Sequence, residues 1–323
     1  MNRRDLFAVT ACLMASALIL GQGRGENPAA RQTAAPPTET VAPDIPGVVK
    51  GGTRVQLLKG GFNGAEAVIA MPDGSVLFGE YESNRIHRFD SNDNFSLYAE
   101  DANRAAGLAY DHNGRLIATE SRGKTQVEVL KPTRMVLADS FEGQPLVRPN
   151  DLVVDRKNGI YFTDPLPAPG RAFFPPPPGR KPLLFYITSE GRLLKVSEDI
   201  KSPNGVQLSP DEKTLYATDA GRIVAFDVQP DGTLRNPRTF VESGGDGLAI
   251  DNAGPLYAST GQSVRIFSAR GEDLGAIPVG ITPAQSVGFA GKMLYIVGGG
   301  LVPNHSAVYK LPMIAQGIMS RAK

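Results

Sequence analysis

The chain has 323 residues, with 34 Lys and Arg against 33 Asp and Glu, 36 glycines, 26 prolines and a single cysteine. Without residues 1–35 the balance is 30 basic to 31 acidic side chains, and no basic stripe supports a nucleic-acid partner. Cys12 lies in the N-terminal apolar run, which leaves the rest of the chain no disulfide, thiolate nucleophile or cysteine-bound metal, and His87, His112 and His305 are too few for a three-histidine zinc site beside other duties.

Residues 1–26 read as a signal peptide. They combine a basic start with an apolar run from Leu6 to Leu20, too short for a comfortable membrane span. Arg3-Arg4 followed by Asp5-Leu6-Phe7 resembles a twin-arginine export signal, and a general secretory signal with adjacent arginines reads equally well. Both readings make the protein exported, with the periplasm as the expected compartment and no stable membrane span once the signal is removed. Residues 27–50 are rich in Ala, Pro and Thr and are expected to form a disordered linker. Residues 51–323 are expected to form one all-β domain.

From residue 66 onward one unit recurs: a short apolar strand, a polar Gly/Asp/Asn turn, and a second strand rich in Leu, Ile, Tyr and Phe. The copies start at Glu66, Ala106, Asn150, Asn204, Asp246 and Gln285, with steps of 40, 44, 54, 42 and 39 residues. A period of about 40–45 residues with four strands per unit marks a β-propeller blade. Alternating segments such as 85–90, 126–130, 184–187, 223–228, 264–268 and 307–311 supply third strands. Six copies predict a six-bladed β-propeller. The leftover segment 53–59 is expected to add the outer strand of the last blade and close the ring. The long step from Asn150 to Asn204 holds residues 165–182, with prolines at 175–178. That composition excludes an interior strand. It suggests a stiff insertion over the channel mouth, or a surface polyproline tract.

No Gly-x-Ser-x-Gly elbow, phosphate-binding Gly-rich loop, HExxH helix or EF-hand loop occurs. Oxygen chemistry remains. Inner strands of a propeller start near one end of the central channel, so Glu66, Asn150, Asn204 and Asp246 are predicted to converge. Two carboxylates and two amide carbonyls make a doubly negative, all-oxygen cage suited to a hard divalent cation. Ca2+ accepts such mixed ligands, and Zn2+ or Mn2+ remain open. The alternative for each residue is local: Asn and Asp at strand starts also bond turn backbone groups.

These residues sit in motifs that resemble the gluconolactonase/regucalcin (senescence marker protein) family of six-bladed calcium propellers. The matching segments are Arg148-Pro149-Asn150-Asp151 with Tyr161-Phe162-Thr163-Asp164, Ser202-Pro203-Asn204-Gly205 with Ser209-Pro210-Asp211, Asp246-Gly247-Leu248-Ala249, and Val308-Tyr309-Lys310-Leu311. The resemblance spans roughly residues 55–318. It implies that Glu66, Asn150, Asn204 and Asp246 hold a catalytic metal and that Arg148 orients substrate. Two departures stand out. The family's Glu-Gly-Pro-x-Trp is here Glu66-Ala67-Val68-Ile69-Ala70, in a chain without Trp, and Leu152 follows Asp151 where the family continues with Gly.

The activity implied is metal-dependent hydrolysis of a lactone or related ester. The metal polarises the carbonyl, and Asp246 takes the proton of the attacking water. Glu120, in a segment that resembles a Glu-bearing stretch of bacterial gluconolactonases, is a second substrate-side candidate. Its other reading is a turn carboxylate paired with Arg122. Asp164 and Asp219 recur after Thr at matching strand ends and read as turn formers. A calcium-stabilised binding propeller without activity is the competing class, and a phosphotriesterase-type hydrolase the second enzyme reading. The expected partner is a small-molecule lactone or ester, and the expected state a monomer or small homo-oligomer.

Overall fold

A computed structural model describes residues 35–167 and 175–319, except for the Arg122 side chain. The expected signal segment and the start of the linker lie outside these residues. Among the described residues there is no helix, and none is therefore long and apolar enough to cross a membrane. The strands form six antiparallel sheets of four or five strands, one per repeat, plus a small hairpin of Ser140–Phe141 and Gln144–Pro145. We number the blades by their inner strands: Ala65–Ala70, Ala105–Tyr110, Leu152–Val154, Pro203–Leu208, Leu248–Ile250 and Ala284–Ala290. The third strands appear where alternation places them, for example Arg85–Phe89, Lys124–Lys131, Leu183–Ile187 and Arg222–Val228.

The period of two explains why the strands are apolar on both faces. In blade 3, Phe162 and Phe185 pack toward blade 2 with Ile117, Val127 and Val129. Their neighbours Tyr161, Leu184 and Tyr186 pack toward blade 4 with Val206, Leu215 and Val224. Each sheet is thus a wall shared by two cores, and no blade can bury its surface alone. The turns between inner and second strands are set by carboxylates. Asp111 accepts the Asn113 and Arg115 amides at 3.0 and 2.8 Å, and Gly114 follows the left-handed path (φ 76°) that the tight turn needs.

The sixth blade combines both ends of the chain. Its order runs from Ala284–Ala290 through Met293–Gly298 and Ser306–Pro312 to Arg54–Phe62, with Thr40–Val41 on the outside. Gln56 lies opposite Lys310, and Leu57 opposite Tyr309.

The expectation of a disordered linker through residue 50 is corrected here. Thr38 bridges Gly280 with a 2.9 Å hydrogen bond, and Thr40–Val41 joins the outer edge of blade 6. Ala42, Ile45, Val48 and Val49 are buried with Tyr257, Ile296 and Met313. The composition of residues 27–50 concealed this. Three branched aliphatic side chains at 45, 48 and 49 offer about 1.5–3 kcal/mol each on full burial, enough to dock a short segment on a preformed edge.

The insertion interrupts blade 3 between Ile160–Asp164 and Leu183–Ile187. Its described parts, residues 165–167 and 175–182, contain no strand. The remainder of the expected lid lies outside the described residues.

Candidate active site at the inner strand starts

Local backbone geometry sets the leading position of each repeat apart from the ladder behind it. In blades 1, 2, 4 and 6 the register shifts at that point, between Glu66 and Ile69, Ala105 and Gly107, Pro203 and Val206, and Ala284 and Ser286. In blades 3 and 5 the regular strand begins only at Leu152 and Leu248, two residues past Asn150 and Asp246. A bulge at a strand start re-aims its side chain. Ala67 carries part of this irregularity with φ 53°. A left-handed backbone costs an Ala about 1–2 kcal/mol, and the Gly of the family motif avoids that cost.

A run of hydroxyls then links these starts from blade to blade. Thr119 Oγ1 accepts the Gly107 amide at 2.8 Å and donates to the Asn150 carbonyl. Thr163 Oγ1 accepts the Asp151 amide at 3.1 Å and donates to the Asn204 carbonyl at 2.7 Å. Thr218 Oγ1 accepts the Gly205 amide at 2.8 Å and lies 3.5 Å from the Asp246 carbonyl. Ser259 Oγ accepts the Gly247 amide at 2.9 Å and donates to the Gln285 carbonyl at 2.6 Å. All four hydroxyl residues are fully buried. Each therefore fixes the backbone of a leading residue one blade ahead. Sequence reasoning missed this role, although the signal was present: Thr119, Thr163, Thr218 and Ser259 occupy one repeat position.

The leading side chains meet electrostatically. Burial holds the Glu66 carboxyl well above the ordinary carboxylate range; the charges of Asp246 and Asp151 push the same way, and the Arg148 guanidinium opposes them. Glu66, Arg148, Asp151 and Asp246, far apart in sequence, thus share one neighbourhood. Gln285 Nε2 donates to Glu66 Oε1, while Gln285 Oε1 accepts the Gly300 amide at 2.6 Å. Gln285, the leading residue of the sixth copy, holds one Glu66 oxygen in place. Asp151 is buried, and its two oxygens accept the Leu152 and Val206 amides at 3.0 and 2.9 Å.

Asn150 and Asn204 are half-buried, and among the described residues their side-chain amides form no hydrogen bond with a protein group. The turn bond that the alternative reading calls for is thus not made by either side chain, and their carbonyls are held by Thr119 and Thr163. A cavity of about 320 Å³ opens beside Asn204 and Asp246, bounded by Gly245, Ser259, Thr260 and Pro283. Two larger cavities lie elsewhere. One of about 500 Å³ is lined by Met71, Pro72, His112 and Gly291 at the inner-to-second-strand turns, the far end of the channel. Another of about 700 Å³ lies between blade 2 and Pro175, Pro176 and Pro177.

The donor set suits a cation. Two carboxylates crowd one neighbourhood with Arg148 as the opposing charge on Glu66, and two amides offer oxygens without a protein partner. No group of three or more His, Cys, Asp or Glu side chains able to share a metal occurs among the described residues, so a metal here would depend on the amide oxygens.

Glu120 has different company. It is fully buried, its Oε2 accepts Asn103 Nδ2 at 2.6 Å and Gln126 Nε2 at 2.8 Å, and Arg134 Nη1 stands 3.9 Å from its Oε1. Burial, with Glu128 nearby, pushes its carboxyl up to about 8. None of these partners is a leading residue, so its position matches those of Asp164 and Asp219 rather than that of the cage. Those two act as loop anchors: Asp164 accepts the Val147 and Arg148 amides, and Asp219 accepts the Lys201 and Ser202 amides.

Comparison with known proteins fits this architecture. Residues 64–298 match the family model described as the SMP-30/gluconolactonase/LRE-like region. A gluconolactonase of Zymomonas mobilis is 23% identical over 86% of this chain and 88% of its own. Pentonolactonase XacC of Haloferax volcanii is 27% identical over 73% of this chain and 81% of its own. The solved gluconolactonase of Xanthomonas campestris superposes with a TM-score of 0.74 at 24% identity, covering 87% of this chain and 99% of that one. A calcium-binding regucalcin of Agrobacterium tumefaciens gives a TM-score of 0.67 at 16% identity, covering 82% and 95%.

Proposed function

This chain belongs to the SMP-30/gluconolactonase/LRE-like family, and on that premise we propose that it is a metal-dependent lactonase acting at the inner strand starts. Lactone-hydrolysing relatives such as the gluconolactonase of Z. mobilis and pentonolactonase XacC support the reaction class. The observation that carries the site is the convergence of Glu66 and Asp246 from distant blades, together with the half-buried Asn150 and Asn204 side chains that bond no protein group among the described residues.

Glu66, Asn150, Asn204 and Asp246 are the residues that would hold the metal, with Ca2+ as the reading their oxygen donors favour. When bound, the cation supplies Lewis-acid polarisation of the lactone carbonyl and stabilises the negative oxygen that develops there. The protein's own groups do the rest. Gln285 keeps one Glu66 oxygen fixed, and the hydroxyls of Thr119, Thr163 and Thr218 hold the backbones of Asn150, Asn204 and Asp246. Arg148 presents its guanidinium to the oxygens of the bound lactone. A carboxylate oxygen of Asp246 receives a proton from water as that water adds to the carbonyl carbon. The ring C–O bond then breaks, and the proton returns to the ring oxygen, so lactone and water give the open hydroxy acid. Residues 1–26 are read as the signal that exports the protein.

The test is a hydrolysis panel of aldonolactones, homoserine lactones, an aryl ester and an organophosphate triester, each with and without chelator. Chelator-sensitive lactone turnover is the expected result, with Asp246→Ala losing at least about a hundredfold in kcat. Normal turnover by metal-loaded Asp246→Ala would sink the assignment of Asp246. Chelator-induced unfolding with no turnover of any substrate would make the metal structural and the protein a binding propeller.

A further inference from the structure

The acids at or near the ends of the second strands of blades 1 to 4 form a series with one irregular member. Glu80 accepts the Asn63 amide at 2.9 Å, Glu120 the Asn103 side chain at 2.6 Å, Asp164 the Val147 and Arg148 amides at 3.1 and 2.6 Å, and Asp219 the Lys201 and Ser202 amides at 2.9 and 2.8 Å. Each acid thereby anchors the segment that enters its own inner strand. Each also has a second partner on its other side. For three of them that partner belongs to the adjoining third strand: His87 for Glu80 at 2.7 Å, Gln126 for Glu120 at 2.8 Å, and Arg222 for Asp219 at 3.0 Å.

Asp164 is the exception. Its second partner is Arg180, which lies outside any strand in the proline-rich insertion, with Nη2 2.5 Å from Asp164 Oδ2. The pair is buried, with side-chain exposure of 8% for Arg180 and 0% for Asp164. The Arg180 amide closes a turn on the Pro177 carbonyl at 3.0 Å, and the guanidinium packs 5.7 Å from the Phe185 ring centre. The Arg180 Nε has no hydrogen-bond partner among the described residues. Its guanidinium is therefore committed to this one carboxylate instead of being spread over several acceptors.

We propose that Arg180 is a positioning residue: through Asp164 it fixes the backbone of Arg148, so that the insertion sets the affinity of the site for substrate. This rests on the substrate-orienting role assigned to Arg148. The chain of contacts is continuous. Arg180 pins Oδ2 of Asp164, Oδ1 of the same carboxylate holds the Arg148 amide, and the Arg148 guanidinium reaches the field of Glu66. Without Arg180, Asp164 keeps only backbone donors in a place where burial already raises its carboxyl. Its hold on Val147 and Arg148 then loosens, and Arg148 samples positions away from the cage. No hydrogen bond in this chain of contacts ends on a metal-holding side chain, and Arg148 reaches Glu66 only through its charge. The effect should thus fall on substrate binding and spare metal binding.

The experiment uses the full protein loaded with Ca2+ and gluconolactone as substrate, comparing Arg180→Gln, Arg180→Lys, Arg148→Gln and the double Gln variant. Arg180→Gln is expected to raise KM about tenfold with kcat within about twofold, the size of one lost charge-assisted contact. Calorimetric affinity for gluconate should fall by the same factor, while Ca2+ affinity stays within about twofold. Arg180→Lys keeps a cation near Asp164 and should recover part of the loss; it also serves if the Gln variant fails to fold. In the double variant KM should be no higher than in Arg148→Gln alone, because both changes act through one group. If Arg148→Gln raises KM but Arg180→Gln does not, or if the two effects multiply, the latch is overturned while the role of Arg148 stands. An unchanged KM in Arg148→Gln overturns that role and the latch together.

Discussion

Thr163→Val isolates the hydroxyl run that joins the blades. The Thr163 side chain is fully buried, and its Oγ1 serves two backbone groups: it accepts the Asp151 amide at 3.1 Å and donates to the Asn204 carbonyl at 2.7 Å. Both bonds tie segments that carry leading residues, one on each side of the blade 3–blade 4 seam. Valine has nearly the same shape, so no cavity opens and no strand propensity is lost. What is lost is two buried hydrogen bonds to backbone groups, at about 1–3 kcal/mol each. The expected loss is about 2–6 kcal/mol in urea unfolding. Thr163→Ser is the control: it keeps the hydroxyl and removes one methyl, worth about 1 kcal/mol. Serine should therefore be the more stable variant. An account based on apolar packing alone gives the opposite order, and a Thr163→Val protein as stable as Thr163→Ser would refute the role of the hydroxyl. Ca2+ affinity should also weaken in the Val variant alone, because Asn204 and Asp151 lose their backbone anchors.

Two further perturbations test neighbouring parts of the structure. At Gly205 a Cβ would sit 2.2 Å from the Asp246 carbonyl oxygen, a backbone atom held by the Gly205 amide itself. Gly205→Ala should therefore force the seam of blades 4 and 5 apart, costing about 1–3 kcal/mol on unfolding and weakening Ca2+ binding in calorimetry; an unchanged unfolding midpoint contradicts the close approach. Glu120→Gln tests the buried carboxyl pushed from 4.5 up to about 8. A folded-state pKa above the unfolded one gives stability that is complete at low pH and lost as pH rises from about 4.5 to about 8. The glutamine variant lacks this loss. Its Tm should gain on wild type across that window and then stay level, and a constant Tm difference over the same range counts against the buried charge.

Much of the architecture was legible in the chain because a propeller is written as a repeat. Period-two alternation and the Gly/Asp turns marked the strands, and the six leading residues marked the blades, since equivalent strand positions in a closed ring must face one axis. The segment at 38–50 was not legible. Its composition is that of a linker, and the reason it is ordered is an apolar edge on blades 5 and 6 that exists only once the ring has formed. Glu120 illustrates a different limit. Its exposure and partners depend on Asn103, Gln126 and Arg134, which no local pattern connects to it.

The candidate site divides along the same line. Residue identity at the leading position already named Glu66, Asn150, Asn204 and Asp246 and implied an all-oxygen set, because donor chemistry is a property of side chains. Tertiary structure alone decided how those side chains are supported: that Gln285 grips Glu66, that the hydroxyls of one blade hold the carbonyls of the next, and that Arg180 reaches Asp164 from the insertion. The physical reason is distance along the chain. The donors repeat every blade and leave a periodic trace, whereas their supports are contacts between blades or with an insertion, and no period in the sequence records which surfaces the closed ring brings together.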